Sequence, residues 1–276
     1  MRLDSVAKAK QTIVQENHSI LLYGPPKSGK TQLVGTAAKI PAIERIWWFD
    51  GENGSSTLTR QGLTDEELKK IILFKIPDTR EEPRFIETVL KALTSKNQSR
   101  ICDVHGRINC PDCAKIPTAT YENFLLSECT HKDLVVIDSG SALGTSALNA
   151  ACMGKDVSYK PLLDDYGYVS KLLSDACLVI QQCKNTNFVV ITHELLHEGE
   201  DKVERIYPLF GSKQFSINCG KFFGTVVYCF TKLGKHSAAS SSTYKPNLIT
   251  GSRLQVALEK EQAPSMTDIL VKGGVL

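Results

Sequence analysis

Residues 24–31 read Gly-Pro-Pro-Lys-Ser-Gly-Lys-Thr, the spacing G-x-x-x-x-G-K-[ST] without a gap. This octapeptide constrains the chain most, because it works only between a strand and a helix. Ser19-Ile20-Leu21-Leu22-Tyr23 before it is a short apolar run of buried-strand type. Residues 30–39 after it read as a helix that Pro41 closes. The loop is expected to cradle a polyphosphate. Gly24 and Gly29 let the backbone curl so that successive N–H groups point inward, with Pro25, Pro26, Lys27 and Ser28 completing the turn. The helix that begins here adds its positive dipole end. Lys30 is placed for the β and γ phosphates of a nucleoside triphosphate and the Thr31 hydroxyl for Mg²⁺. Lys27 either adds charge or points to solvent.

Further apolar runs at 45–49, 71–76, 134–137 and 188–191 predict four more strands. Helical periodicity is expected over 3–16, with Val6, Ile13 and Val14 on one side, and over 83–94 and 165–184. Continuous apolar strands separated by helices predict an α/β fold, a mostly parallel sheet covered on both faces. Past residue 203 the texture changes, with strands expected over 225–231 and 253–258 and a Ser-rich loop at 237–243. At 276 residues the chain reads as one domain over 1–276, with a polar insertion at 97–120. A composition 42% hydrophobic and 23% charged excludes disorder as the main state. No run approaches the ~18 apolar residues of a membrane span. The first residues lack an apolar signal core, and the nine cysteines are odd in number. Reduced thiols and a cytoplasmic location are expected.

A P-loop needs a carboxylate near the metal. Asp133-Leu134-Val135-Val136-Ile137-Asp138-Ser139 carries four apolar residues through the sheet and delivers Asp138 at its carboxyl edge, where ligands bind in open α/β sheets. Hydrolysis also needs a group to orient water. The second strand ends in Asp50-Gly51-Glu52, and Glu52 is the candidate base, the alternative being an exposed loop glutamate. The fifth strand ends in Thr192-His193-Glu194. Thr192 and His193 are candidates to contact the γ-phosphate or the water, or else to be satisfied strand-end residues.

In this order the segments resemble the RecA recombinase core, over roughly residues 18–232. The compact size looks like the RecA-like ATP-binding proteins of bacteriophages, the Sak-type single-strand annealing group. The resemblance implies a RecA-like P-loop NTPase fold, ATP and Mg²⁺ as ligands, Glu52 as catalytic glutamate, Asp138 as the Walker B residue and a nucleotide sensor at Thr192. It further implies single-stranded DNA as partner and self-association into a ring or filament. Two features depart from the pattern: Glu194 stands where RecA-type sensors carry glutamine, and the RecA core lacks the cysteine-bearing insertion.

That insertion contains Cys102, His105, Cys110 and Cys113, a C-x₂-H-x₄-C-x₂-C spacing able to wrap one tetrahedral Zn²⁺. Cys129 and His131 are alternative ligands. The alternative to metal is a set of ordinary reduced cysteines.

Net charge is +3, but residues 202–260 hold nine Lys/Arg against two acids. A basic C-terminal third points to an anionic partner or to a solvated lysine-rich surface. Lys202, Arg205, Lys213 and Lys221 alternate with Tyr207, Phe210, Phe215, Phe222 and Phe223, a pattern suited to single-stranded nucleic acid. Lys232, Lys235 and Arg253 are candidates to reach a neighbouring subunit's γ-phosphate. The expected activity is a DNA-dependent ATPase in annealing or recombination. The alternatives are a P-loop kinase, which needs an arginine-bearing lid, and a non-hydrolysing nucleotide-gated assembly protein.

Overall fold

The computed structural model describes residues 17–240, 247–253, 265–272 and 276. The expected helix over 3–16 and most of the expected strand over 253–258 lie outside these residues. In chain order the strands are β1 (Ser19–Tyr23), β2 (Arg45–Asp50), β3 (Ile71–Lys75), β4 (Ser99–Cys102), β5 (Tyr121–Phe124) and β6 (Asp133–Asp138), then β7 (Asn187–Glu198), β8 (Glu204–Leu209), β9 (Thr225–Lys232), β10 (Lys235–Ala239) and β11 (Gly251–Ser252). The α-helices are α1 (Lys30–Gly35), α2 (Asp65–Lys69), α3 (Arg84–Thr94), α4 (Gly140–Ala151), α5 (Leu163–Gln182) and α6 (Lys213–Asn218).

The main sheet has the order β10-β9-β1-β7-β6-β2-β3, with β8 added to β7 and β11 to β9. From β9 to β3 every pairing along this path is parallel. Successive side chains of a strand face opposite sides, so β2 sends Trp47 and Phe49 to one apolar layer and Ile46 and Trp48 to the other. Buried residues of α3, α4 and α5 close the first layer. Those of α1, the 3₁₀ turn Thr36–Lys39 and the segment 266–270 close the second. This is the α/β fold, a mostly parallel sheet with apolar layers on both faces, that the alternation of apolar strands and helices implied. The carboxyl ends of the parallel strands share one edge, which is where the loop after β1 lies.

Four elements depart from the sequence-based expectation. Helix α4 has a weak apolar stripe, and its start is set by the Ser139 hydroxyl, which accepts the Ala142 N–H at 3.1 Å. Strand β7 runs past its apolar part to Glu198 and pairs antiparallel with β8 as a ribbon. Residues 235–239 form β10, paired with β9, and so take residues 237–239 out of the Ser-rich loop expected at 237–243. The insertion is framed by an antiparallel hairpin, β4 with β5, so it reaches Phe124. Phe124 packs edge-on against Trp47 and Phe49 at ring distances of 5.3 and 5.4 Å, tying the hairpin into the core.

The amino ends of β1, β7 and β9 are tied by His18. Its N–H donates to Asn187 Oδ1 at 2.9 Å, its carbonyl accepts from Phe188 N, and Nε2 lies 2.6 Å from Thr225 Oγ1. Burial, with Arg253 nearby, pulls the His18 imidazole down to about 4. The unfolded chain therefore takes up a proton in the window from about 6.5 to 4 that the folded chain refuses, so this group costs stability as pH falls. Wild-type protein is expected to lose on the order of 2 kcal/mol between pH 6.5 and 4 from His18 alone. His18→Gln should flatten that part of the profile, read by urea denaturation at several pH values.

Candidate nucleotide site and cysteine-histidine cluster

The loop between β1 and α1 is shaped by contacts that exclude side chains. Gly24 has φ 152°, and a Cβ there would lie 2.0 Å from the Cys229 carbonyl oxygen of β9. Gly29 has φ 84°, and its Cβ would meet the His236 ring at 2.6 Å. Lys27 also takes a positive φ, 63°. Lys30 is buried, and its ammonium donates to the carbonyls of Gly24 at 2.9 Å and Pro25 at 2.8 Å. Burial holds Lys30 below the ordinary lysine range, against the opposing pull of nearby Asp138 and Glu52.

Thr31 donates its hydroxyl to Asp138 Oδ2 at 3.1 Å, which joins the two residues expected to serve Mg²⁺. Asp138 is 2% exposed. Burial, reinforced by Asp50 and Glu52, pushes its carboxyl up to about 7, against the Thr31 hydrogen bond and the Lys30 charge. A divalent cation is the kind of partner that restores ionisation at such a position.

Asp50 organises the next loop. Its Oδ1 accepts from the backbone N–H groups of Glu52 at 3.0 Å and Gly54 at 3.2 Å, and its Oδ2 from Ser55 at 3.1 Å. The turn it makes aims Glu52 at the pocket. Ser139 donates its hydroxyl to Glu52 Oε1, and His193 Nε2 lies 3.2 Å from Oε2. Burial would raise the Glu52 carboxyl, but the bonds from His193 and Ser139, with the charge of Lys30, outweigh it and hold it below the usual range. Glu52 is therefore ionised at neutral pH.

These groups line one pocket of about 340 Å³. Its walls are Pro26–Gln32 together with Glu52, Thr57, Asp138, Ser139, Ile191, His193 and His236. Of the two strand-end candidates, His193 faces the pocket and Thr192 does not. Thr192 is fully buried; its hydroxyl donates to the Leu209 carbonyl and lies 2.9 Å from Ser141 Oγ. The alternation of β7 sends the two residues to opposite faces, so the expected role of Thr192 at the phosphate falls away. Glu194 accepts a hydrogen bond from the Tyr228 hydroxyl at 2.9 Å. His236 was not foreseen. It reaches the pocket only through the pairing of β10 with β9, which leaves no local signal.

The insertion brings Cys102, His105, Cys110 and Cys113 together, with their ligand atoms all within 4.8 Å of one another. His105 Nδ1 lies 3.2 Å from Cys113 Sγ and 3.5 Å from Cys110 Sγ. All three thiols are buried. A Cys₃His tetrahedron, with Zn–N of about 2.0 Å and Zn–S of about 2.3 Å, has edges of roughly 3.5–3.8 Å, and the His105 contacts lie close to that span, so the donor set suits zinc. Cys129 belongs elsewhere, its thiol directed at the Leu125 carbonyl, and the grouped cluster includes neither it nor His131.

The nucleic-acid pattern does not survive folding intact. Phe210, Phe215, Phe222 and Phe223 are core residues, no more than 8% exposed, with Phe215 packed on Phe210 and Phe222. Their burial beside an apolar strand removes them as stacking platforms. Arg205 is held in a fork by Asp201, at 2.9 and 2.5 Å. Lys202 occupies the same β7–β8 turn, among Glu198, Glu200, Asp201 and Glu204. Lys213 opens α6, and the Lys221 ammonium sits 5.0 Å from the Phe222 ring centre. Lys202 and Arg205 thus sit together at the tip of the β7–β8 ribbon, whereas Lys213 and Lys221 belong to two other elements. Lys232 and Lys235 flank the β9–β10 turn and are not among the residues lining the pocket, whereas Arg253 lies at the amino end of β9, where its N–H donates to the Gly224 carbonyl.

No protein-family model and no curated protein sequence matches the chain. Among solved structures it is similar to a prototypical ATPase from the type III secretion system of pathogenic bacteria, at TM-score 0.45 and 11% identity, over 86% of this chain and 57% of that one. It is similar at the same TM-score and identity to the assembled ATPase EscN, in complex with its central stalk EscO from enteropathogenic E. coli, over 89% of this chain and 50% of that one. The chain spans about half the length of these proteins. At this degree of superposition they assign neither residue roles nor activity.

Gly29→Ala is expected to destabilise the protein by roughly 1–2 kcal/mol, through its positive φ and the His236 clash. His236→Ala in the same chain should recover the clash component and leave the backbone component, a coupling measurable by a double-mutant cycle in denaturant.

Proposed function

We propose that this chain is a Mg²⁺-dependent ATPase. The observation that carries the reading is the convergence of Lys30, Thr31, Asp138 and an ionised Glu52 on one pocket beside the phosphate loop. Pro25 and Pro26 have no N–H to offer, so the backbone N–H groups of Lys27, Gly29, Lys30 and Thr31 would hold the β and γ phosphates. Lys30 would exchange its loop carbonyls for phosphate oxygens. Thr31 and Asp138 would hold Mg²⁺, which supplies charge neutralisation at the β and γ oxygens when bound. Glu52 would accept the proton of the attacking water, with His193 and Ser139 fixing its carboxylate. Among the described residues no arginine lines the pocket, which favours water over a second substrate under an arginine lid as acceptor. His193, at the root of the β7–β8 ribbon, takes the place of Thr192 as the candidate sensor.

Glu52→Gln is expected to lower ATP turnover by about 10²–10⁴-fold while leaving nucleotide binding within a few-fold of wild type, measured by phosphate release and by titration with a fluorescent analogue. Transfer of the phosphoryl group to an added acceptor instead of water would overturn hydrolysis as the activity.

Coupling to single-stranded DNA, as in annealing or recombination of the Sak type, is the finer form of the reading. Its support is the basic balance of residues 202–260 and the exposure of Lys202, Lys213 and Lys221. Binding would be carried by phosphate contacts without base stacking, and so be strongly salt-dependent. Stimulation of ATP turnover by single-stranded DNA, lost on Lys213→Ala with Lys221→Ala, is the expected result. No stimulation at low salt removes the DNA part and leaves the ATPase.

For the insertion we propose one structural Zn²⁺ on Cys102, His105, Cys110 and Cys113. Four protein ligands leave no open position for catalysis. About one zinc per chain is expected by elemental analysis, absent in Cys113→Ser, and chelation should lower the melting temperature by several degrees.

A further inference from the structure

The residue after His105 is a glycine lodged in a corner of the main fold. Gly106 is buried and has φ 60°, and a Cβ there would lie 2.5 Å from the Lys75 carbonyl oxygen and 2.6 Å from the Ile76 side chain. A residue with a side chain does not approach the end of β3 so closely. The Gly106 carbonyl accepts the Thr88 hydroxyl of α3 at 3.0 Å, in a buried bond. Its N–H donates to the Cys102 carbonyl at 3.1 Å, and the next N–H, of Arg107, donates to Cys102 Sγ at 3.4 Å. The stretch between the two ligand pairs therefore touches both the cluster and the body of the fold. It has little apolar support of its own. Around Cys102, Cys110 and Cys113, only Ala119 and Tyr121 pack among the described residues. A loop so built takes its shape from what its thiols and imidazole hold.

The same corner supports the turn that carries Glu52. The sheet register sets Lys75 opposite Asp50, and the Ile76 N–H donates to the Asp50 carbonyl at 2.9 Å. On the helix side, Phe85 is fully buried and lies against Gly51, where a Cβ would meet its ring at 2.5 Å. Phe85 and Thr88 stand three residues apart, and so on one face of α3. That face meets the Glu52 turn at Phe85 and the cysteine–histidine loop at Thr88. The end of β3 meets the turn through Ile76 and the loop through Lys75. Two separate elements thus join Gly106 to Asp50 and Gly51, the residues just before Glu52. The phosphate loop packs elsewhere, with Gly24 on Cys229 and Gly29 on His236.

We propose that the filled cysteine–histidine cluster sets the turn that aims Glu52, with Thr88 as the positioning residue that carries the shape of the loop to the site. The proposal rests on the two readings above, zinc in the cluster and hydrolysis at Glu52. It assigns the insertion to the catalytic step and not to nucleotide binding. Glu52 keeps its bonds to Ser139 and His193. Loss of the corner therefore costs precision in aiming the carboxylate, on the order of tenfold in turnover, and does not abolish it.

The test uses the full chain as zinc-loaded wild type, as wild type stripped by a chelator, and as zinc-loaded Thr88→Val, which keeps the side-chain shape and removes the donor. Amide hydrogen exchange is read over residues 50–57 and 27–31, and ATP turnover beside affinity for a fluorescent analogue. The amides of Glu52, Gly54 and Ser55, which donate to Asp50, are expected to exchange about tenfold faster in both altered forms, while residues 27–31 exchange as before. Turnover should fall about tenfold in both, with analogue affinity within about twofold of wild type. Thr88→Ser restores the hydroxyl and should restore both quantities. Elemental analysis of Thr88→Val should still give about one zinc per chain, which separates the corner from an empty cluster. Should stripping unfold the chain, Thr88→Val decides alone. Unchanged exchange over 50–57 in a zinc-loaded Thr88→Val overturns the proposal and leaves the zinc site standing. Equal acceleration over 27–31 also overturns it, since the loosening would then be general. A wild type that holds no zinc sinks the cluster reading and this proposal with it. A wild type that holds zinc and hydrolyses nothing sinks the ATPase alone, because the exchange of residues 50–57 still reads the link to the turn.

Discussion

Parallel pairing sets Asp50 directly opposite Asp138, the last residues of β2 and β6. Everything at the pocket depends on that register. Two buried carboxylates side by side cannot both remain ionised without compensation. The chain resolves the conflict by giving them different partners. Asp50 takes three backbone N–H groups and becomes the centre of a turn. Asp138 takes only the Thr31 hydroxyl and is left with its carboxyl raised to about 7. One acid is thus spent on shape, and the shape delivers Glu52. The other keeps a single hydroxyl partner at the pocket wall. A shift of one residue in the β2–β6 pairing would undo both at once.

The phosphate loop and Asp138 were legible because their meaning is local. Two glycines, a lysine and a strand–helix junction define the first, and four apolar residues ending in an acid define the second. Glu52 was legible as a candidate, but its support comes from Ser139, just past β6, and His193 of β7, both distant in sequence. The assignment of the sensor to Thr192 failed on strand parity, since neighbouring residues of β7 face opposite layers and nothing in Thr192-His193 says which faces the pocket. Helix α4 escaped notice because Gly140-Ser-Ala-Leu-Gly-Thr-Ser has little hydrophobic rhythm, and tertiary packing decides it. The cysteine–histidine spacing was informative because metal ligands obey a short-range geometry.

Charge counted along a chain is not charge in space. The basic surplus past residue 202 suggested a continuous electrostatic surface, but Asp201 lies just before that boundary and neutralises Arg205. Aromatic residues interleaved with lysines gave the same false continuity. The rings of Phe210, Phe215 and Phe222 form one packed cluster, the first pair edge-on and the second stacked, and the cations are simply the residues left outside.

The neighbouring indoles of β2 carry an optical consequence. Trp47 and Trp48 are the chain's two tryptophans, and the strand's alternation sends them to opposite layers. Trp47 touches Phe124, at the end of the strand that pairs with the cysteine-bearing β4, whereas Trp48 sits in the layer with α1. Emission from the first would redden if the inserted hairpin came away from the sheet, and emission from the second if the phosphate-loop layer loosened. With either indole replaced by phenylalanine, the protein carries its own spectroscopic probe for one face at a time.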